Sequence, residues 1–138
     1  MSDRIQDQEW FRKTVAELRE YRVLIRRIEV IEIMLRRNAG PDAKVIANYG
    51  MTTGAGQNPD EINPLEVELE MKQTKLKAID ASLEALEPRE KQIIELKFKQ
   101  GKRDQEIYEG MQIAKATFYA DYNPAIEKLA KVLGYLEC

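Results

Sequence analysis

Histidine is absent from this chain, and cysteine occurs once, at Cys138. Without histidine the protein lacks the side chain that most often serves as a general base, as the partner of a catalytic nucleophile and as a metal ligand. A single cysteine excludes an internal disulfide and the familiar cysteine-rich zinc clusters. We therefore expect that the protein is not an enzyme and that it uses no metal or other cofactor.

Long apolar runs and phosphate-binding glycine motifs are also missing. No stretch approaches the length of a membrane-spanning helix, and residues 1–7 have no signal-peptide character. Gly50, Gly54 and Gly56 lack the lysine and the following helix that would make a phosphate loop. These features predict a soluble, cytoplasmic protein with no membrane partner.

Glycine and proline are scarce, with seven and five residues in a chain of 138, whereas charged residues make up 33% of it. That balance favours long helices over sheets. The predicted fold class is all-α. A long N-terminal helix and a second helix are expected to form a hairpin or coiled coil, followed by a C-terminal helix-turn-helix bundle.

Two stretches have the apolar periodicity of long helices. Residues 6–37 contain no proline or glycine, and their apolar side chains recur at spacings of three and four. Val23, Val30 and Ile33 lie off that stripe. So broad an apolar face favours contact with a second subunit, although deeper burial within one chain is the alternative. A second helix is predicted from residue 65 to residue 86, with a loop over residues 42–64 between the two.

The remaining residues, 87–138, have the order of parts of a helix-turn-helix. Pro88 suits the first turn of a helix, and Gly101 can end that helix with a positive φ. A second short helix then leads to a tight turn at Gly110, and a third helix follows. A plain bundle of three short helices has the same pattern and remains an alternative. The predicted domains are therefore a hairpin and dimerisation region over residues 1–86 and a helix-turn-helix domain over residues 87–138.

Proline inside the third helix sets an expected limit on its length. A proline in a helix interior removes one hydrogen bond and clashes with the preceding turn, at a cost of about 3 kcal/mol. Pro124 is therefore expected to kink or stop the helix near residues 122–123 and to begin a new one.

Charge bears on what such a domain binds. Residues 87–138 contain nine Lys and Arg and nine Asp and Glu, so a single copy should bind DNA weakly and a dimer would be useful. The cations cluster around the predicted turn, however: Lys97, Lys99, Lys102, Arg103 and Lys115.

The helical register predicts which side chains face DNA. If Phe118 and Tyr122 face the core, residues on the opposite side of the helix face the major groove. Residues at the start of the preceding helix are better placed for phosphates, which position a protein without selecting sequence. Asp121 is expected to point away from DNA. The predicted DNA-binding residues are Lys102, Arg103, Lys115, Thr117, Tyr119 and Asn123.

The order of several short motifs resembles the ArpU family. These motifs are Leu-Arg-Glu-Tyr-Arg at residues 18–22, Lys-Val-Ile-Ala-Asn-Tyr at 44–49, Leu-Glu-Pro-Arg-Glu-Lys-Gln-Ile-Ile-Glu-Leu-Lys at 86–97, Thr-Phe-Tyr at 117–119 and Ala-Ile-Glu-Lys-Leu-Ala at 125–130. Members of that family are phage-encoded regulators of late genes, related in their last third to region 4 of bacterial sigma factors. The resemblance implies a transcriptional regulator in a bacterial host cell that binds double-stranded DNA as a homodimer or higher oligomer. RNA polymerase is a further candidate partner.

Two other functions fit the same predicted arrangement of a helical hairpin and a helix-turn-helix. One is the small DNA-recognition subunit of a phage packaging terminase, which also joins a helix-turn-helix to a helical hairpin and forms rings of many copies. The other is a helical protein-interaction module, which would show no salt-dependent retention on DNA.

Overall fold

The computed structural model describes residues 4–39 and 62–137, and every regular element in these two stretches is helical. A 3₁₀ turn, Ile5–Asp7, precedes α1 (Glu9–Arg19), α2 (Tyr21–Ala39), α3 (Pro64–Leu83), α4 (Pro88–Ile94), α5 (Asp104–Gly110) and α6 (Lys115–Leu133). A π-helical turn, Glu95–Lys99, continues α4. The predicted all-α class is confirmed. Among the described residues, no helix combines the length and apolarity needed to cross a bilayer. The predicted loop lies outside the described residues except for its last positions.

The predicted long N-terminal helix is present over residues 9–39, but it bends at Glu20, which separates α1 from α2. The Glu20 N–H donates to the carbonyl oxygen of Glu17, three residues earlier, at 3.1 Å. In a regular α-helix the acceptor is four residues earlier, so the backbone turns more tightly here. Leu18 and Tyr21, on either side of the break, are both buried. The apolar spacing of three therefore passes through the break, which is why periodicity did not reveal it.

Helix α3 begins at Pro64, which the sequence had placed in the loop. The Asn63 side-chain oxygen accepts a hydrogen bond from the Leu65 N–H at 2.9 Å and so caps the helix. Proline is tolerated at the first helical position because an N–H there would have no hydrogen-bond partner within the helix. The predicted apolar stripe is buried at the far end of the helix, where Ile79 and Leu83 are 1% and 2% exposed.

The structure divides into two compact units. The first contains residues 4–23 and 76–137, and in it the Phe11 ring of α1 meets the Tyr122 ring of α6 edge-on at 6.1 Å. The second contains residues 24–39 and 62–75, and in it Arg27 of α2 forms a two-pronged ion pair with Glu68 of α3 at 2.6 and 2.7 Å. Helix α1 thus packs with the C-terminal helices, a different division from the boundary drawn at residue 86.

Aromatic rings form the centre of the first unit. Phe118 is fully buried, stacks on Tyr122 at 5.7 Å and meets Tyr108 of α5 at 5.8 Å. Aliphatic side chains from α3, α4, α5 and α6 complete the core: Ile79, Leu83, Ile93, Ile94, Ile107, Ile126 and Leu129.

Helix α6 continues through Pro124, so of the two expected outcomes, a kink or a stop near residues 122–123, the stop was wrong, as was the new helix expected to begin at Pro124. The proline is exposed, while Ala125 and Ile126 directly after it are fully buried. Burial of apolar side chains on both sides of the proline offsets the lost hydrogen bond, since each fully buried aliphatic residue contributes about 1.5–3 kcal/mol.

The packing of α1 predicts that a mutation there loosens α6. Leu18→Ala removes a fully buried side chain and should lower the free energy of unfolding by about 2–5 kcal/mol, whereas Val23→Ala, at a position 67% exposed, should change it by less than about 0.5 kcal/mol. Urea unfolding gives both values, and hydrogen exchange of the α6 amides should accelerate only in Leu18→Ala. Unchanged α6 exchange in that variant would show that α1 does not support the C-terminal helices.

Candidate nucleic-acid interface

The tight turn predicted between two short helices lies between α5 and α6, but Gly110 does not make it. Gly110 is the last residue of α5, and no atom lies within 4 Å of a Cβ placed on it. The residue with a left-handed backbone is Gln112, at φ 59°. The Ile113 N–H donates to the Tyr108 carbonyl oxygen at 3.0 Å and closes the turn around it. A non-glycine residue in this conformation is strained by about 1–2 kcal/mol and persists because neighbouring bonds fix it.

A second reversal, at Gly101, positions the start of α5. Its φ of +74° confirms that this glycine ends the preceding helix in the left-handed region. A Cβ there would lie 2.1 Å from Nη1 of Arg22, the end of an exposed side chain that can move aside, so the positive φ is what favours glycine at this position. The Arg103 N–H then donates to Glu106 Oε1 at 2.9 Å and caps α5.

The first turns of α6 present an open face. Lys115, the first residue of the helix, is exposed, as are Ala116 and Ala120, while Phe118 and Tyr122 on the opposite side are buried. Ala114 precedes the helix and offers no side-chain cap. Small residues beside a lysine leave room for a partner to approach the helix closely.

Tyr119 is fixed by Asp104 rather than free on that face. Its hydroxyl donates to Asp104 Oδ2 at 2.8 Å, and Lys97 Nζ contacts Asp104 Oδ1 at 2.5 Å. Burial and the hydrogen bond to Asp104 raise the pKa of Tyr119 to about 12. The phenol is therefore neutral near pH 7, and its ring lies across the gap between α5 and α6.

Two of the five clustered cations are used inside the protein. Lys97 is paired with Asp104, and Lys99 Nζ lies 3.1 Å from Asp80 and 3.7 Å from Glu95. Lys102, Arg103 and Lys115 differ from them. All three are exposed, and Arg103, 90% exposed, lies 4.0 Å from its Glu106 partner. Lys102 and Lys115 form no ion pair with any residue that the structure describes.

The remaining predicted residues lie at the edge of the open face. Asn123 Oδ1 accepts a hydrogen bond from Gln6 Nε2 at 2.9 Å, and both Asn123 and Thr117 are half-buried. Asp121 forms an ion pair with Arg89 of α4 at 2.5 Å, so its carboxylate is directed to a cation of the same chain.

Five of the six predicted DNA-binding residues line two surface clefts, and a third cleft shares residues with both. One cleft contains Lys115, Tyr119 and Asn123 and adds Arg4, Ile5 and Gln6. Another contains Lys102 and Arg103 and adds Arg19, Lys97, Phe98 and Asp104. Thr117 lines neither. The sequence did not predict that Gln6 and Arg19 would line these clefts or that Arg12 would line the third. The spacing of seven between Arg12 and Arg19 does place both on one face of a helix.

No protein-family model, curated protein or solved structure matches the chain. Among residues 4–39 and 62–137, no cluster of three or more Cys, Asp or Glu is arranged to hold a metal ion.

Replacing Gly101, before α5, or Gly110, the last residue of α5, with alanine should change the stability of the protein in opposite directions. Gly110→Ala should raise the free energy of unfolding by about 0.5–1 kcal/mol, because the position is helical and open. Gly101→Ala should lower it by about 1 kcal/mol or more, because of the positive φ. Urea denaturation of both variants measures the difference. Destabilisation by Gly110→Ala would mean that this glycine, and not Gln112, makes the turn.

Proposed function

We propose that this protein is a DNA-binding transcriptional regulator that places the first turns of α6 in the major groove. The observation that carries the proposal is the open face of Lys115, Ala116 and Ala120, which follows a tight turn and lies opposite buried Phe118. Helix-turn-helix proteins read base edges with the N-terminal residues of the second helix, while the first helix crosses the DNA backbone.

Each predicted residue has a role that follows from its surroundings. Lys115 is unpaired among the described residues and exposed, so it is the side chain best placed for a guanine edge or a phosphate. Lys102 and Arg103, before α5, contact phosphates and orient the protein. Asn123 would have to exchange its Gln6 hydrogen bond for a base, and Tyr119 offers only its ring edge beside the bond to Asp104.

The late genes of a phage or prophage are the proposed target. The support is the order of motifs that resembles ArpU proteins, together with the three consecutive helices α4, α5 and α6 in residues 87–138. In such an arrangement RNA polymerase is a second proposed partner, and the bacterial cytoplasm is the compartment in which both partners occur.

A homodimer is proposed because the cationic and acidic residues of residues 87–138 are equal in number, so one copy of this domain should bind DNA weakly. Helix α2 exposes Val30, Ile33 and Met34 by 44%, 56% and 40%, and α3 exposes Val67 and Met71 by 39% and 66%. Spacings of three and four place each group on one side of its helix. Large apolar side chains grouped on a helix face mark interaction surfaces, and a second copy of the domain multiplies DNA affinity through effective concentration.

Binding to DNA is tested by selecting fragments of the source genome at low salt and measuring the enriched duplex by fluorescence anisotropy. Lys115→Ala should weaken binding to that duplex by about 1–3 kcal/mol, since a good base contact contributes that much. Lys131→Ala, the same charge change at the other end of α6 where Lys131 pairs with Glu127, should leave affinity unchanged. If Lys115→Ala selects and binds the same sequence equally well, the assignment of α6 is wrong. Absence of any salt-dependent retention would favour the interaction module.

Self-association is tested by light scattering at micromolar concentration. The 16.0 kDa chain should scatter as a dimer, and Ile33→Glu with Met71→Glu should return it to a monomer by placing charges in the apolar contact. Val132→Glu, at an exposed position of α6, is the matched control and should remain dimeric. A monomeric wild-type protein contradicts the dimer, and a ring of many copies would favour the packaging subunit.

A further inference from the structure

A cleft of about 600 Å³ lies between α1 and the helix-turn-helix, within the unit of residues 4–23 and 76–137. It shares Arg19 with the cleft at Lys102 and Arg103, and it shares Gln6 and Tyr119 with the cleft at Lys115. The three clefts therefore adjoin one another on the side of the molecule that carries Lys115, and together they are called the groove.

The groove concentrates positive charge in a chain whose formal net charge is −2. Its single carboxylate, Asp104, already bonds Lys97 and Tyr119. Clustering charge of one sign along a groove attracts a polyanion even when the whole protein is not basic. The cations that line it are Arg4, Arg12, Arg19, Lys97, Lys102, Arg103 and Lys115.

Helix α1 contributes two arginines to the groove. Arg12 and Arg19 are seven residues apart, two helical turns, and both line the groove. The carboxylates of Glu9 and Glu17 do not line any of the three clefts. Glu9 lies 4.0 Å from Lys13, and Glu17 accepts a hydrogen bond from the Tyr135 hydroxyl. The charged residues that α1 contributes to the cleft are therefore both arginines.

The α1 arginines are available to a ligand. Both Arg12 and Arg19 are exposed, and within the described part of the chain neither forms an ion pair. Arg12 donates one hydrogen bond, to the Asp7 carbonyl oxygen at 3.1 Å, which leaves its other guanidinium donors free. Guanidinium groups bind phosphate oxygens through paired donors, which suits both residues to a phosphodiester backbone.

We infer that α1 is a second DNA-contacting element, in which Arg12 and Arg19, continued by Arg4, bind the sugar–phosphate backbone of the duplex whose major groove receives α6. The inference rests on the proposed function and extends the binding surface to the N-terminal helix. Duplex phosphates fit better than unstacked bases, because single strands need exposed aromatic platforms. Tyr122 is only 4% exposed, and Tyr119 is tied to Asp104.

The test measures affinity for a random-sequence 30-bp duplex as a function of salt concentration. Affinity falls as salt rises, and each phosphate contact contributes about 0.9 to the steepness of the plot of log affinity against log salt. Arg12→Gln with Arg19→Gln should therefore reduce the magnitude of the slope by about 2. Arg12→Lys with Arg19→Lys should restore most of the slope, because the charge remains. Circular dichroism establishes that the variants stay folded.

The matched control is Lys13→Gln with Arg26→Gln, which changes the net charge equally. Lys13 pairs with Glu9 and Arg26 pairs with Glu29, both outside the groove, so this variant should keep the wild-type slope. An equal loss of slope in the control and the groove variant would overturn the inference, as would an unchanged slope in the groove variant when Lys115→Ala weakens binding. If the wild-type protein shows no salt-dependent binding, the proposed function itself fails, and the two failures are thereby distinguished.

Discussion

The burial of Phe118 between Tyr108 and Tyr122 is the constraint on which the arrangement of this protein depends. Phe118 and Tyr122 are four residues apart on α6, so burying both fixes the rotation of the helix about its axis. Lys115, Ala116 and Ala120 must then be exposed. Tyr122 also meets Phe11, so the same cluster draws α1 beside α6 and creates the groove between them. Core packing and the candidate interface are consequences of one set of rings.

Asp104 decides which cations are left for a ligand. As a half-buried carboxylate at the start of α5, it needs a partner, and Lys97 and Tyr119 supply two. The Asp104 carboxylate neutralises the charge of Lys97, and its hydrogen bond holds Tyr119 across the gap between α5 and α6. Exposed Lys102, Arg103 and Lys115 keep their charges available at the two ends of the groove. The local balance of charge, more than the sum over the chain, therefore favours an anionic partner.

Rules that act on neighbouring residues failed where packing outweighed them. Pro124 was expected to kink or stop α6, yet the helix does not stop there, because apolar side chains are buried on both sides of an exposed proline. Gly110 was expected to make the turn, yet Gln112 adopts the left-handed conformation because surrounding hydrogen bonds fix it. Apolar spacing passed through Glu20 without showing the break between α1 and α2. Gly101 followed its local rule, since no tertiary contact opposed its positive φ.

The sequence by itself determined the all-α class, the buried sides of α3 and α6, and the exposure of Lys102, Arg103 and Lys115. Those properties follow from helical periodicity and from residue chemistry, which act over a few neighbouring positions. Only the tertiary structure decided that α1 packs on α6, that Lys97 and Lys99 are paired internally, and that the α1 arginines line the same groove as Lys115. These are contacts between residues far apart in the chain, and no spacing within a helix specifies which face meets which partner.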